Sequence, residues 1–336
     1  MLNLCRKLLN ISIKEMGKVK RFAFILALIL TLTLVVSGCS NNSDNTSAGE
    51  TEKQEPTEES VEFVDTSYIV DADWLNENLD NENLLILDAR GADAYNKGHI
   101  PGAIAVMWQN FADMSGTPAD NPNWGTVLKA EELSKKLSEF GISPDKEIVV
   151  YTATDGGWGE DGRIVWMLKR AGFENAKMLD GGFEYWTSKG YEVSKEAVEP
   201  TPTEVNITKL SDDTNIETEE LANRLGELVV IDARAKDEYE GAQNYGEARG
   251  GHVPGAINIP FNEFLNKDGT LKTAGEIKAI LDSNGIDKDD EIVTYCTAGI
   301  RSAHMQIVLD MMGYNARNYD ASFYVWSANE NLEVEK

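Results

Sequence analysis

A six-residue block, Leu85-Ile86-Leu87-Asp88-Ala89-Arg90, recurs 144 positions later as Val229-Val230-Ile231-Asp232-Ala233-Arg234. Three more pairs follow in the same order. Gly98-His99-Ile100-Pro101-Gly102-Ala103 matches Gly251-His252-Val253-Pro254-Gly255-Ala256, and Glu147-Ile148-Val149-Val150-Tyr151 matches Glu291-Ile292-Val293-Thr294-Tyr295. Asp180-Gly181-Gly182-Phe183 is echoed by Asp320-Ala321-Ser322-Phe323. This period is too long for a solenoid repeat, and each copy has the length to close its own core, so the pattern requires a duplicated domain. A chain of 336 residues with 42% hydrophobic content has the material for two cores. The units are expected at residues 65–198 and 207–336, joined by a linker over residues 199–206 around Pro200-Thr201-Pro202.

Short β-branched runs such as Ile148–Tyr151 and Ile292–Tyr295 alternate with helical stretches such as Ala130–Phe140 and Ser302–Met312. That alternation predicts an α/β fold in which each unit is a mostly parallel sheet flanked by helices. The second unit is longer between its first two blocks, where Gly241–Gly250 carries Arg249 to the edge of the Gly-His-Val-Pro-Gly turn. Loops beside strand ends are where sites are built.

Ahead of the repeats, Lys18, Lys20 and Arg21 precede an apolar run from Phe22 to Val36, closed by Val36-Ser37-Gly38-Cys39. This order predicts an export signal over residues 1–38, with Met16 opening a more typical signal than Met1. The run is short of the roughly 20 residues that cross a bilayer comfortably. Its end resembles the bacterial lipobox, which implies cleavage before Cys39, lipidation of its thiol and folded domains held outside the cytoplasm on the cell membrane. Residues 39–64 are almost free of apolar side chains until Val61, so this stretch is expected to be a disordered tether. The signal holds six of the 31 basic residues and one of the 57 acidic ones, leaving a net charge of −31 on the remainder. Such a balance disfavours nucleic acid as a partner. Of three cysteines, Cys5 falls in the signal and Cys39 would be lipidated, so Cys296 is the one free thiol expected and no disulfide framework is possible.

Cys296 ends a β-branched run and begins the loop Thr297-Ala298-Gly299-Ile300-Arg301, after which Ser302 opens a helix. At that junction loop N–H groups and the helix dipole favour thiolate over thiol. Gly299 permits a turn that other residues resist, and Arg301 adds a fixed positive charge. The first unit has Thr152 where the second has Cys296, and threonine cannot serve as a low-pKa sulfur acceptor. His99 and His252 occupy the same turn in both units, including the one without a cysteine, so a structural role is expected. Asp88, Arg90, Asp232 and Arg234 read the same way, Asp320 is ambiguous between structure and catalysis, and His304 is left out of the site.

The Asp-Ala-Arg strand ends, the Gly-His-Ile/Val-Pro-Gly-Ala turns, the Cys296 loop and the Tyr319-Asp320 block together resemble the tandem-domain rhodanese sulfurtransferases, from about Asp65 onward. The resemblance implies a persulfide on Cys296, with an inactive first domain walling the cleft. It implies a small anionic sulfur donor, thiosulfate ahead of 3-mercaptopyruvate, and a thiol, cyanide or protein acceptor. Arg301 and Arg249 would hold the donor, and no metal or organic cofactor is implied. A surface persulfide carrier is the non-enzymatic alternative. Cysteine phosphatases share the fold but place five residues between Cys and Arg, whereas four separate Cys296 from Arg301.

Overall fold

The computed structural model of the protein describes residues 61–336; the expected signal, Cys39 and the expected tether through residue 60 lie outside the described residues. The first domain runs β1 (Ile69–Val70), α1 (Ala72–Glu77), β2 (Leu84–Asp88), α2 (Ala92–Lys97), β3 (Ile104–Ala105), α3 (Ala130–Glu139), β4 (Glu147–Tyr151), α4 (Glu160–Arg170), β5 (Ala176–Leu179) and α5 (Gly182–Ser188). The second repeats it as β6 (Asn215–Ile216), α6 (Thr218–Asn223), β7 (Val229–Asp232), α7 (Lys236–Tyr239), β8 (Ile257–Asn258), α8 (Ala274–Ser283), β9 (Glu291–Tyr295), α9 (Ile300–Met311), β10 (Asn315–Tyr319) and α10 (Ser322–Ala328). The sheets are ordered β1-β5-β4-β2-β3 and β6-β10-β9-β7-β8, and every pairing is parallel. Helices cover both faces of each sheet, which is why the central strands read as continuous apolar runs. In register, Asp88 faces Tyr151 as Asp232 faces Tyr295.

That register explains the repeated blocks. Arg234 forks onto the Asp232 carboxylate, with Nη2 to Oδ2 at 2.6 Å, and donates from the same nitrogen to the carbonyl of Gly251. Tyr295 donates its hydroxyl to Asp232 Oδ2 at 2.5 Å and receives the amide of Val253. Arg90, Asp88, Gly98, Tyr151 and Ile100 form the same network in the first domain. Each thus ties two strand ends to the Gly-His turn. The histidines complete that turn, His99 stacked on Tyr95 and His252 on Tyr239, each with Nδ1 3.0 Å from the tyrosine carbonyl.

The domains meet through α4 and α9, both buried on nearly every side. A side chain on Gly162 would fall 2.6 Å from the Cα and Cβ of His304, so the helices can cross this closely only with glycine there. Ala303, Ile307 and Met311 of α9 enter the first domain's core. The contact is nearly two-fold: Asp180 accepts from the Leu271 amide at 2.8 Å, and Asp320 from the Val127 amide, 144 positions earlier, at 2.9 Å. Arg163, buried in α4, pairs with Asp320.

Two connecting segments are more ordered than composition suggests. Phe63, at the end of the expected tether, packs against both cores, and the amides of Val64 and Asp65 donate to Met311 O. The stretch around Pro200 lies along α3, where Thr203 and Ser138 exchange hydrogen bonds and the Ile207 amide donates to Ser134 Oγ. Apolar Phe63, Val198, Val205 and Ile207 supply the burial that a polar average hides.

Gly162→Ala should push α4 and α9 apart and lower stability by about 1–3 kcal/mol, the usual cost of overpacking a tight contact. Urea denaturation followed by tryptophan fluorescence measures it, and an unchanged midpoint would contradict the close crossing.

Candidate active site

Cys296 leaves the carboxyl end of β9, the middle strand of its sheet, where connections depart in opposite directions and parallel sheets place their ligands. Gly299 follows at φ +76° as the N-cap of α9, and a Cβ there would lie 2.5 Å from the Asp320 carbonyl. The helix therefore starts at Ile300, two residues before the start read from the sequence. Arg301 falls in its first turn. The loop consists of Thr297, Ala298 and Gly299, curled beneath the sulfur.

Cys296 is 1% exposed, and such burial alone would raise its pKa. The shift nonetheless runs downward, because the Arg301 charge, the amides of Ser302 and Ala298, and the Ser302 hydroxyl outweigh desolvation. That hydroxyl has no other hydrogen-bond partner.

Sequence reading overlooked two residues that hold this arrangement. Glu238, buried on α7, takes both terminal nitrogens of Arg301, Nη1 to Oε2 at 2.6 Å and Nη2 to Oε1 at 2.9 Å. It also accepts from Thr297 Oγ1 at 3.0 Å, while Arg301 Nη2 donates to that same oxygen at 2.7 Å. Burial works to raise the Glu238 pKa, yet Arg301 holds it below the ordinary range. Its only sequence signal was a carboxylate four residues after Arg234, which helical spacing alone does not connect to Cys296. The second is Ser322, the one non-glycine residue with positive φ among the described residues, at 54°. Its Oγ accepts the Cys296 amide at 3.0 Å and donates to Tyr319 O at 2.9 Å. The first domain has Gly182 at the corresponding place with the same φ of 54°. A serine in that conformation is strained, and it is retained where its hydroxyl fixes the nucleophile's backbone.

The expected donor ligand Arg249 lies elsewhere. Its guanidinium is spent on the carbonyls of Ser327, Trp326, Asn329 and Leu332, capping the end of α10. We correct its role to a structural one: four of its five N–H donors are taken by carbonyls, and it does not line the cavity over Cys296. Arg301 does reach the cleft, but as a neutralised partner of Glu238. His304 is buried against Phe261, where desolvation lowers its pKa to about 4, so it is neutral at pH 7 and packs the domain contact.

Above Cys296 a cavity of about 170 Å³ opens between the domains. Its walls are Trp108, Met114, Trp124 and Trp158 from the first domain and Tyr245 and Tyr324 from the second. Edge-to-face pairs bridge the two, Trp124 with Tyr324 at 5.0 Å and Trp158 with Tyr245 at 5.2 Å. In the first domain the matching loop is closed on itself. Glu160 accepts from Thr152 Oγ1 at 2.8 Å and from the Trp158 amide at 2.9 Å, so a carboxylate fills the place of an anionic ligand. Asp161, one turn position after the helix start as Arg301 is in α9, is buried, and desolvation pushes it up to about 7.

Arg301→Ala should raise the Cys296 pKa by about one to three pH units, the usual reach of a neighbouring opposite charge, and Arg301→Lys should recover part of it. Glu238→Gln should act in the opposite sense by freeing the Arg301 charge. The pH profile of iodoacetamide alkylation reads all three, and coincident profiles would remove Arg301 from the thiolate's support.

Comparison with known proteins agrees with this geometry. The rhodanese-like domain profile matches residues 71–189 and 217–329. The chain is 30% identical over 290 residues to the sulfur carrier protein TtuD of Thermus thermophilus, an alignment covering 82% of this chain and 98% of that protein. It is 31% identical over 277 residues to the thiosulfate sulfurtransferase of Pseudomonas aeruginosa, covering 81% and 98%. Among solved structures, the 3-mercaptopyruvate sulfotransferase SseA of Escherichia coli superposes with a TM-score of 0.67 at 28% identity, covering 76% of this chain and 99% of that one. With both domains matched and a nucleophile in only the second, the chain belongs to the rhodanese-like family as a two-domain, rhodanese-type sulfurtransferase.

Proposed function

We propose that the protein takes a sulfane sulfur from thiosulfate onto Cys296 and passes it to a thiophilic acceptor outside the cytoplasm, where a lipid on Cys39 anchors it. The observation that carries the chemistry is the Cys296 thiol, held below its ordinary pKa at the floor of a cleft open to small molecules. The thiolate attacks the outer sulfur of thiosulfate, the donor's S–S bond breaks, and sulfite leaves with its electron pair. The resulting persulfide anion sits over the N–H groups of Ala298 and Ser302, which favour negative charge whether it rests on Sγ or one sulfur further out. The named activity of the Pseudomonas aeruginosa relative supports thiosulfate as donor. The anchor rests on the sequence around Cys39 alone.

Incubation with thiosulfate should add a single sulfur atom to the protein by mass spectrometry, and turnover should form thiocyanate from thiosulfate and cyanide. Cys296→Ser should abolish both, and retained activity would place the nucleophile elsewhere. Persulfide formation without thiocyanate would instead favour a carrier.

For the anchor, Cys39→Ala expressed in a bacterial host should lose labelling by a fatty-acid analogue and remain unprocessed. Unaltered labelling would refute lipidation at Cys39.

A further inference from the structure

The two repeats differ in length at three places, and all three differences turn onto the Cys296 cleft. The second domain's insertion, Gly241–Gly250, supplies Tyr245. The first domain has its own extra stretch between the short 3-10 turn at Trp108–Phe111 and α3, and that stretch supplies Met114 and Trp124. The loop after β4 reaches its helix cap at Gly159, seven residues from Thr152, where Cys296 reaches Gly299 in three, and the longer loop supplies Trp158. Rings that would ordinarily be buried are left open here, Trp158 and Tyr245 each at 41% exposure. Faces of aromatic rings carry negative potential, and several converging on one small space form a receptor for an organic cation.

Charge in the cleft points the same way. Among the residues lining it, Arg301 is the one cation, and Glu238 takes both of its terminal nitrogens. The Tyr324 hydroxyl at the rim feels Glu247, the Cys296 thiolate and Glu238 as negative neighbours against Arg301 as the positive one. Glu247 is buried beneath Tyr245, whose amide it accepts, and its second oxygen has no partner. Glu238 and the Cys296 thiolate or persulfide thus offset the one guanidinium, with Glu247 buried beneath the aromatic wall, on a protein of net charge −26.

We propose that the aromatic walls of this cleft select the sulfur acceptor, and that it is a small thiol carrying a permanently cationic head, a quaternary ammonium or its like. The inference rests on the persulfide chemistry of the preceding section and adds the acceptor's class. In the step, the acceptor thiolate attacks the outer sulfur of the Cys296 persulfide. A new S–S bond forms, the bond to Sγ breaks, and its electron pair returns to Cys296 as thiolate. The acceptor leaves as its own persulfide, which carries the proton its thiol gave up, and no external oxidant or reductant enters. The cationic head sits against Trp124, Trp158 and Tyr245 while the thiol end reaches the floor.

The test uses protein preloaded with thiosulfate and mixed in single turnover with three thiols: thiocholine, its neutral isostere 3,3-dimethylbutanethiol, and anionic 2-mercaptoethanesulfonate. Rates are compared per thiolate. Thiocholine is expected to react about tenfold faster than the isostere at limiting concentration, with the sulfonate slowest. Trp158→Leu and Trp124→Leu should bring the thiocholine-to-isostere ratio towards one. Choline should inhibit transfer to thiocholine in the unaltered protein, where its neutral isostere 3,3-dimethylbutanol should not, which keeps the proposal testable if either variant fails to fold. Equal rates for the cation and its isostere, or a faster sulfonate, would overturn the proposal. Failure of Cys296 to load any sulfur would overturn the sulfurtransferase reading itself, and this acceptor with it.

Discussion

A negative charge on Cys296 is the interaction on which the structure of the second domain turns. Taking a thiolate out of water is costly, and at 1% exposure almost no solvent remains to support it. The support must come from fixed groups. Loop amides and the α9 amino terminus supply part, and Arg301 supplies a full charge. Arg301 would itself be a buried, unpaired cation without Glu238, and Glu238 would be a buried, unpaired anion without Arg301. Each member of the series is tolerable only because the next is in place. The chain of contacts ends at Ala235 and Thr297, whose backbone and hydroxyl donors satisfy the last carboxylate oxygens.

The first domain shows what the same fold becomes when that charge is absent. Thr152 needs no stabilising field, and Glu160 accepts from its hydroxyl and from the Trp158 amide while Asp161 stands where Arg301 stands in the second domain. The reversal of sign makes this loop hostile to an anionic donor, so restoring a cysteine at Thr152 would not restore its surroundings. What the domain retains is the Asp88, Arg90 and Tyr151 network, which serves folding alone, and a surface that completes its partner's cleft.

The sequence was legible where a signal is local or repeated. The duplicated blocks located the strand ends, the parallel α/β architecture and Cys296, because strand-loop-helix junctions are encoded in a few contiguous residues. It was silent where contacts join distant segments. Glu238 lies 63 residues from Arg301, and Ser322 lies 26 from Cys296. Nothing in spacing marks Ser322, since its value comes from a φ that only a folded turn imposes. Arg249 misled for the converse reason: proximity to the glycine turn in sequence said nothing of the helix end, 77 to 83 residues away, that it caps. Phe63 and the stretch around Pro200 were obscured because averages over polar segments dilute single apolar anchors.

Burying the Arg301–Glu238 pair has a further consequence for the reaction cycle. The negative charge migrates from Sγ to the outer sulfur when the persulfide forms, a displacement of one S–S bond, and returns when the acceptor is discharged. A mobile, solvated arginine would follow that charge and lose solvation at each step. A guanidinium clamped by two carboxylate oxygens and a threonine hydroxyl cannot follow, so it presents the same field to both states at no cost of reorganisation. Such a field stabilises thiolate and persulfide alike and leaves discrimination between small molecules to the walls above. In this molecule those walls are aromatic and come largely from segments in which the two repeats differ, so the conserved half of the duplication holds the sulfur and the divergent half shapes what can approach it.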